Sequence, residues 1–188
     1  MKIFRLITIL HVVTIVFALT AQAQTDYVIT AKGDSIRCKI SMPLFGDTKY
    51  KGVAMSEPKK IDPEEIKQYF IARKNLLERS VLTDSTSNPE FMTVIEKGKI
   101  NLYQKIIYFD DSSITTWYIS KNSDEVVALK TSGLSLSNPR QTRKDILAKM
   151  LMDKKPVYDK YKADEKFSFK QIRKMVHWYD TGHPLTTH

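Results

Sequence analysis

The sequence predicts an α+β fold, an N-terminal antiparallel β-sheet followed by two or three C-terminal helices. Three observations predict it. Between residues 27 and 130, apolar side chains recur with a period of two or in short runs. The joints between these runs are two to four residues of turn chemistry, too short for a crossover helix, so successive strands lie antiparallel. After residue 138 the apolar spacing changes to that of a helix, with capping residues ahead of it.

Composition sets the frame. The chain has 188 residues, 42% hydrophobic and 27% charged, close to the globular average. Six Gly and seven Pro exclude collagen-like and low-complexity classes. A single Cys excludes a disulfide framework and any multi-thiolate metal site.

Lys2 and Arg5 precede an apolar run, Leu6 to Leu19, and Ala21-Gln22-Ala23 follows it. Charge, apolar run and small-residue exit in that order read as a secretory signal peptide over residues 1–23, cut after Ala23. The run is 14 residues, short of the ~20 that a spanning helix needs, and no later stretch exceeds it. The expectation is therefore export to the periplasm or beyond, with no transmembrane segment after cleavage. No Cys directly follows the apolar run as a lipoprotein box requires; the sole Cys is Cys38, inside the expected mature chain.

Within the mature chain, Tyr27 to Ala31 is β-prone, and Lys32-Gly33-Asp34 supplies a turn. Ile36, Cys38, Ile40 and Met42 alternate with Arg37, Lys39 and Ser41, which completes a hairpin. Cys38 then falls on the strand's apolar face and reads as a small buried hydrophobe. Lys49 to Met55 is a weaker strand. Asp62-Pro63-Glu64-Glu65 has cap, proline and acids in helix-start order, yet Gln68 to Arg73 is β-prone, so a single turn is expected. Leu76 to Leu82 is a further strand, and Thr83 to Pro89 a loop.

Four apolar runs follow: Phe91–Glu96, Lys99–Phe109, Ile114–Ser120 and Glu125–Lys130. They form a meander, and the sheet is expected to curve strongly, even into a barrel. Asn138-Pro139-Arg140-Gln141 reads as cap, first-turn proline and a glutamine reaching back, ahead of a stripe of Ile146, Leu147, Met150 and Leu151. Pro156 to Tyr161 is a short second helix. Ser168 and Gln171 form a capping box for a third, Phe167 is placed to staple onto Ile172, and Gly182 stops it. The sheet region is thus 24–137, the helical region 138–182 and the tail 183–188, with 24–182 one domain.

The order of motifs resembles a family of exported proteins of unknown function found in Bacteroidetes-type bacteria. The matching pieces are Gly33-Asp34-Ser35-Ile36-Arg37-Cys38-Lys39-Ile40, Pro63-Glu64-Glu65-Ile66-Lys67, Lys97-Gly98-Lys99-Ile100-Asn101-Leu102-Tyr103 and a basic helical end near Trp178-Tyr179-Asp180. The resemblance spans most of residues 26–180. It implies the compartment and the fold, and no catalytic residue.

Charge and site chemistry follow. Residues 24–137 carry 16 Lys/Arg against 15 Asp/Glu, and residues 138–188 carry 12 against 6. The excess is C-terminal, and Lys170, Arg173 and Lys174 lie off the apolar stripe of the last helix. In an exported protein such a face suits anionic envelope components or a partner protein rather than nucleic acid. Tyr103, Tyr108, Trp117 and Tyr118 are either the sheet's own core or a binding face for a sugar or partner. His177, Asp180 and His183 are the candidates for a carboxylate–imidazole metal site, with surface or packing roles as the alternative. The chain has no G-x-S-x-G elbow, P-loop or G-x-G-x-x-G. Glu64-Glu65 and Asp110-Asp111 fit a helix dipole and a turn better than an acid–base pair. The sequence therefore predicts no cofactor, and a non-catalytic binding or structural module of the envelope. A hydrolase or metal-dependent enzyme, and a carrier of lipid or a small apolar ligand, are the alternatives.

Overall fold

The structure is a computed structural model that describes residues 25–185, except 45, 84, 85, 87, 134, 135 and 165. The predicted leader and His188 lie outside the described residues. Ten strands run in chain order: β1 (Tyr27–Thr30), β2 (Ser35–Ser41), β3 (Lys49–Gly52), β4 (Lys59–Lys60), β5 (Ile66–Ile71), β6 (Leu76–Thr83), β7 (Glu90–Glu96), β8 (Ile100–Tyr108), β9 (Ser113–Lys121) and β10 (Glu125–Thr131). Three α-helices follow, α1 (Arg140–Leu151), α2 (Lys155–Ala163) and α3 (Phe169–Thr181). This is the predicted α+β order.

The strands form one sheet in the order β10-β9-β8-β7-β6-β5-β1-β2-β3-β4. Every pairing is antiparallel but one. β10 returns to β6 in parallel, with Glu125 opposite Leu82 and Val126 opposite Thr83, and the Leu82 amide donates to the Asp124 carbonyl at 3.0 Å. Strands β6 to β10 thereby close into a ring, and the remaining strands extend from β6 as a curved wing. The pairing of β9 with β10 slips between Ala128 and Lys130, and that of β7 with β8 between Val94 and Glu96. Such bulges sharpen the local twist that a ring of few strands needs.

Alternation along each strand sorts the core. Val81, Met92, Tyr103 and Val126 fill the ring, with Val94 and Tyr118 beside them. Neighbouring residues of the same strands, Ile100, Leu102, Trp117, Ile119 and Leu129, point outward and are covered by the three helices. A separate cluster of Val28, Ile40, Tyr50, Ile61, Ile66, Tyr69 and Ile71 holds the wing together.

Local chemistry explains the ends of these elements. Gly33 takes φ of 93° in the first hairpin, a conformation costly for other residues. Asp62 makes one turn only: its side chain accepts from the Glu64 amide at 2.9 Å and its carbonyl from Ile66 at 2.8 Å. Ser168 caps α3, accepting from the Gln171 amide at 3.2 Å, and Gly182 ends the helix at φ of 81°.

Two caps differ from expectation. α1 begins at Arg140 with Pro139 in the cap position and no side-chain cap bond. The Asn138 carbonyl accepts from Arg143 Nε at 3.0 Å, and Gln141 turns along the helix to Asp145 at 3.0 Å. In α3 the Gln171 side chain does not reach back to complete the box. Helical phase puts it on the buried side, 7% exposed, with neither amide atom hydrogen-bonded.

Candidate functional site

The residues singled out by sequence fall in three places. The first lies where α3 crosses the turn between β7 and β8. Glu96, 14% exposed at its side chain, accepts from Arg173 Nε at 2.6 Å and lies 3.1 Å from His177 Nδ1. One turn further along α3, Asp180 Oδ1 accepts from the amides of Lys99 at 2.9 Å and Ile100 at 3.3 Å. Burial pushes this carboxyl's pKa up, and its second oxygen is buried without a partner. Gly98 makes the approach possible: a Cβ there would sit 2.2 Å from the Asp180 carboxyl carbon.

His177 and Asp180 are therefore each tied to the β7–β8 turn by different partners. His183 is exposed beyond the helix, where its amide donates to Thr181 Oγ1 at 3.2 Å. The three do not converge, and among the described residues no group of three His, Cys, Asp or Glu is placed to hold a metal ion.

Beside this crossing is a cleft of about 450 Å³ lined by Lys97, Gly98, Lys99, Asp153, Lys154, Tyr179, Asp180 and Thr181. Its floor is rigidly bonded. Lys154 Nζ donates to the Tyr179 carbonyl at 2.6 Å, and the Tyr179 hydroxyl donates to Asp153 at 2.8 Å. Lys121 bonds both Asp153 at 2.8 Å and the Met150 carbonyl at 2.7 Å. The Lys121 and Lys154 ammoniums also lie 4.9 and 5.6 Å from the Tyr179 ring centre, on its electron-rich faces. The hydrogen bond from Lys121 holds the Asp153 carboxyl below the usual range. At the rim Lys97 and Lys99 are exposed. Lys170, Arg173 and Lys174 are exposed on α3, whose other side buries Ile172, Met175, Val176 and Tyr179. Five exposed cations thus lie on α3 and the turn it crosses, one of them, Arg173, paired with Glu96.

The aromatic set divides. Tyr103 is sealed inside the ring at 0% exposure. Trp117 lies edge-on to Phe169, ring centres 4.7 Å apart, and its Nε1 donates to Gln104 at 3.0 Å. Tyr118 is half-buried inside the ring. Of the four, Tyr108 alone stands in solvent, 76% exposed near the end of the β8–β9 hairpin.

A second cavity, about 470 Å³, opens where the ring closes, lined by Ala31, Pro63, Glu64, Lys67, Ser80, Val81, Leu82, Pro89 and Asp124. Asp124 is its charged hub, bonded to Arg79 at 2.9 Å and to Lys67 at 3.1 Å. Arg79 enters the ring beside Tyr103, whose other polar neighbour is Ser120. Arg79 Nε and both hydroxyls are buried with no partner in hydrogen-bonding geometry.

Two further titratable groups lie in the sheet. Cys38 is half-buried on the wing, and burial first, then the Asp26 charge, pushes its thiol up to about 11. Glu78 is pushed up to about 7 by burial, against the lowering effect of the Thr93 hydroxyl that donates to it at 2.6 Å.

Comparison with protein-family models, with curated proteins and with solved structures gave no match. Sequence reading named the cations of α3 but missed Lys97, Lys99 and Lys154. The signal was present in Lys97-Gly98-Lys99, a turn with two cations around the residue that must stay small, but its meaning depends on α3 crossing there.

Proposed function

We propose that this chain is an exported, non-catalytic binding module of the bacterial envelope that uses the basic side formed by α3 and the β7–β8 turn to hold an anionic envelope component. The observation that carries this reading is the segregation of charge on α3: four apolar residues inward, Lys170, Arg173 and Lys174 outward, with Lys97 and Lys99 continuing the cationic side. Residues 138–188 hold 12 basic against 6 acidic residues, and of the five cations Arg173 is paired with Glu96. The leader-like order of Lys2, Arg5, the Leu6 to Leu19 run and Ala21-Gln22-Ala23 supports export. The resemblance to exported Bacteroidetes-type proteins supports the same compartment.

The test uses vesicles with and without anionic lipid, at low and moderate salt. Binding is expected only to the anionic vesicles and should weaken steeply with salt. Lys170→Glu with Lys174→Glu leaves the Arg173–Glu96 bond in place and is expected to weaken binding by about tenfold per lysine. Unchanged binding by this variant, or binding indifferent to salt, would overturn the proposal. N-terminal sequencing of the protein from the periplasm should begin at Gln24; retention of the leader would refute the export arm.

A further inference from the structure

The β8–β9 hairpin outruns the sheet on one side. β8 pairs with β9 continuously from Ile100 opposite Lys121 to Tyr108 opposite Ser113. β7 leaves β8 much earlier, at Thr93 opposite Gln104. Its first three residues, 90–92, pair only with β6. From Lys105 to Tyr108, β8 therefore has β9 as its single strand partner among the described residues. Alternate N–H and C=O groups of an antiparallel strand point to either side, so this stretch presents one unpaired row.

The side chains on this edge are apolar. Ile107 is 47% exposed, Tyr108 76% and Phe109 54%. Protein edges are ordinarily blunted by a charge, a proline or a bulge, and none interrupts residues 106–109. The flanks are charged with opposite signs: Lys105 precedes the apolar stretch, and Asp110-Asp111, both exposed, follow it. Such a segment is complementary to itself in the antiparallel sense only. Turned about a two-fold axis near Ile107, each Lys105 approaches the other copy's acids, whereas parallel pairing sets like charge on like. Lys105 already holds Glu90 of its own chain, which fixes the ammonium at this edge.

We infer that the open β8 edge is an interface with a second copy of this chain, the two β8 strands pairing antiparallel into a two-fold dimer whose sheet is continuous across the axis. A two-fold contact uses the same patch twice and buries both edges at once.

Sedimentation equilibrium of the purified protein over a wide concentration range is the first measurement. The mass is expected to rise from one chain to two, and Ile107→Lys, at a site already half exposed, is expected to stay at one chain with an unchanged thermal melt. The second measurement places a cysteine at Ile107 in a Cys38→Ser background. Residues facing each other across antiparallel strands are about 4.5–5.5 Å apart at Cα, within disulfide reach. Mild oxidation is expected to cross-link Ile107→Cys to dimer at least tenfold faster than Lys162→Cys on exposed α2. A wild-type chain that stays single at every concentration, a dimer that survives Ile107→Lys, or equal cross-linking at the two positions would each overturn the inference. So would a single chain that binds neutral vesicles and loses that binding with Tyr108→Lys, which would give the edge to a lipid surface instead.

Discussion

Glu78 shows what one side chain carries in this sheet. It belongs to a lateral row on the outer face, in which Tyr69, Glu78, Thr93, Gln104, Trp117 and Lys130 stand opposite one another from β5 to β10. The middle of that row is polar, and it separates the core under the helices from the core of the wing. Burial raises the Glu78 carboxyl to about 7 from an ordinary 4.5. Between those values the folded chain keeps a proton that the unfolded chain has lost, so stability falls as pH rises through that window and stays lowered above it. Glu78→Gln retains the oxygen that accepts from Thr93 and removes the charge. It should raise stability by about 2–3 kcal/mol near pH 8 and change it little near pH 4. Urea unfolding at the two pH values checks this; an equal effect at both would mean that the carboxyl titrates normally.

At the scale of one element, α3 separates a satisfied cap from an unsatisfied partner. Ser168 accepts a main-chain hydrogen bond, so Ser168→Ala should cost about 1 kcal/mol. Gln171 buries two amide atoms with no partner, and an apolar side chain of similar size avoids that desolvation. Gln171→Leu should therefore stabilise the fold by about 1 kcal/mol, read from thermal melts of both variants; a loss of stability at Gln171→Leu would mean that its amide is bonded after all. The same pair marks a limit of sequence reading. A Ser-x-x-Gln spacing announces a helix start correctly, but whether the glutamine serves the cap or faces the core depends on what lies beneath it. Ile172, Met175 and Tyr179 were legible as a buried stripe because each repeats the helical period. Glu96, which bonds Arg173 and His177 from a strand some eighty positions earlier, carried no local signal.

Across the whole molecule, the turns and the period of two predict the first hairpin and the final meander as antiparallel neighbours, but not the pairing of β1 with β5 that joins the wing to the ring. The return of β10 to β6 was not legible, because two residues of parallel pairing leave no periodic trace. What holds the closure is specific: the Leu82–Asp124 main-chain bond and the grip of Asp124 on Arg79, whose side chain is 20% exposed, and on Lys67. Asp124→Ala strips a largely buried guanidinium of its acceptor and should cost about 1–3 kcal/mol. Hydrogen exchange should show protection lost first at the Leu82 amide and along β10. Protection that falls evenly over the sheet would mean the closure is not a separable lock.

The closure also orders events in time. Residues 82–83 wait for residues 125–126, so a chain emerging amino end first can build its hairpins one by one while the loop between its two distant joining edges is still unclosed. Local contacts form early and this long-range one late, and the tyrosine at the ring's centre stays wet until then.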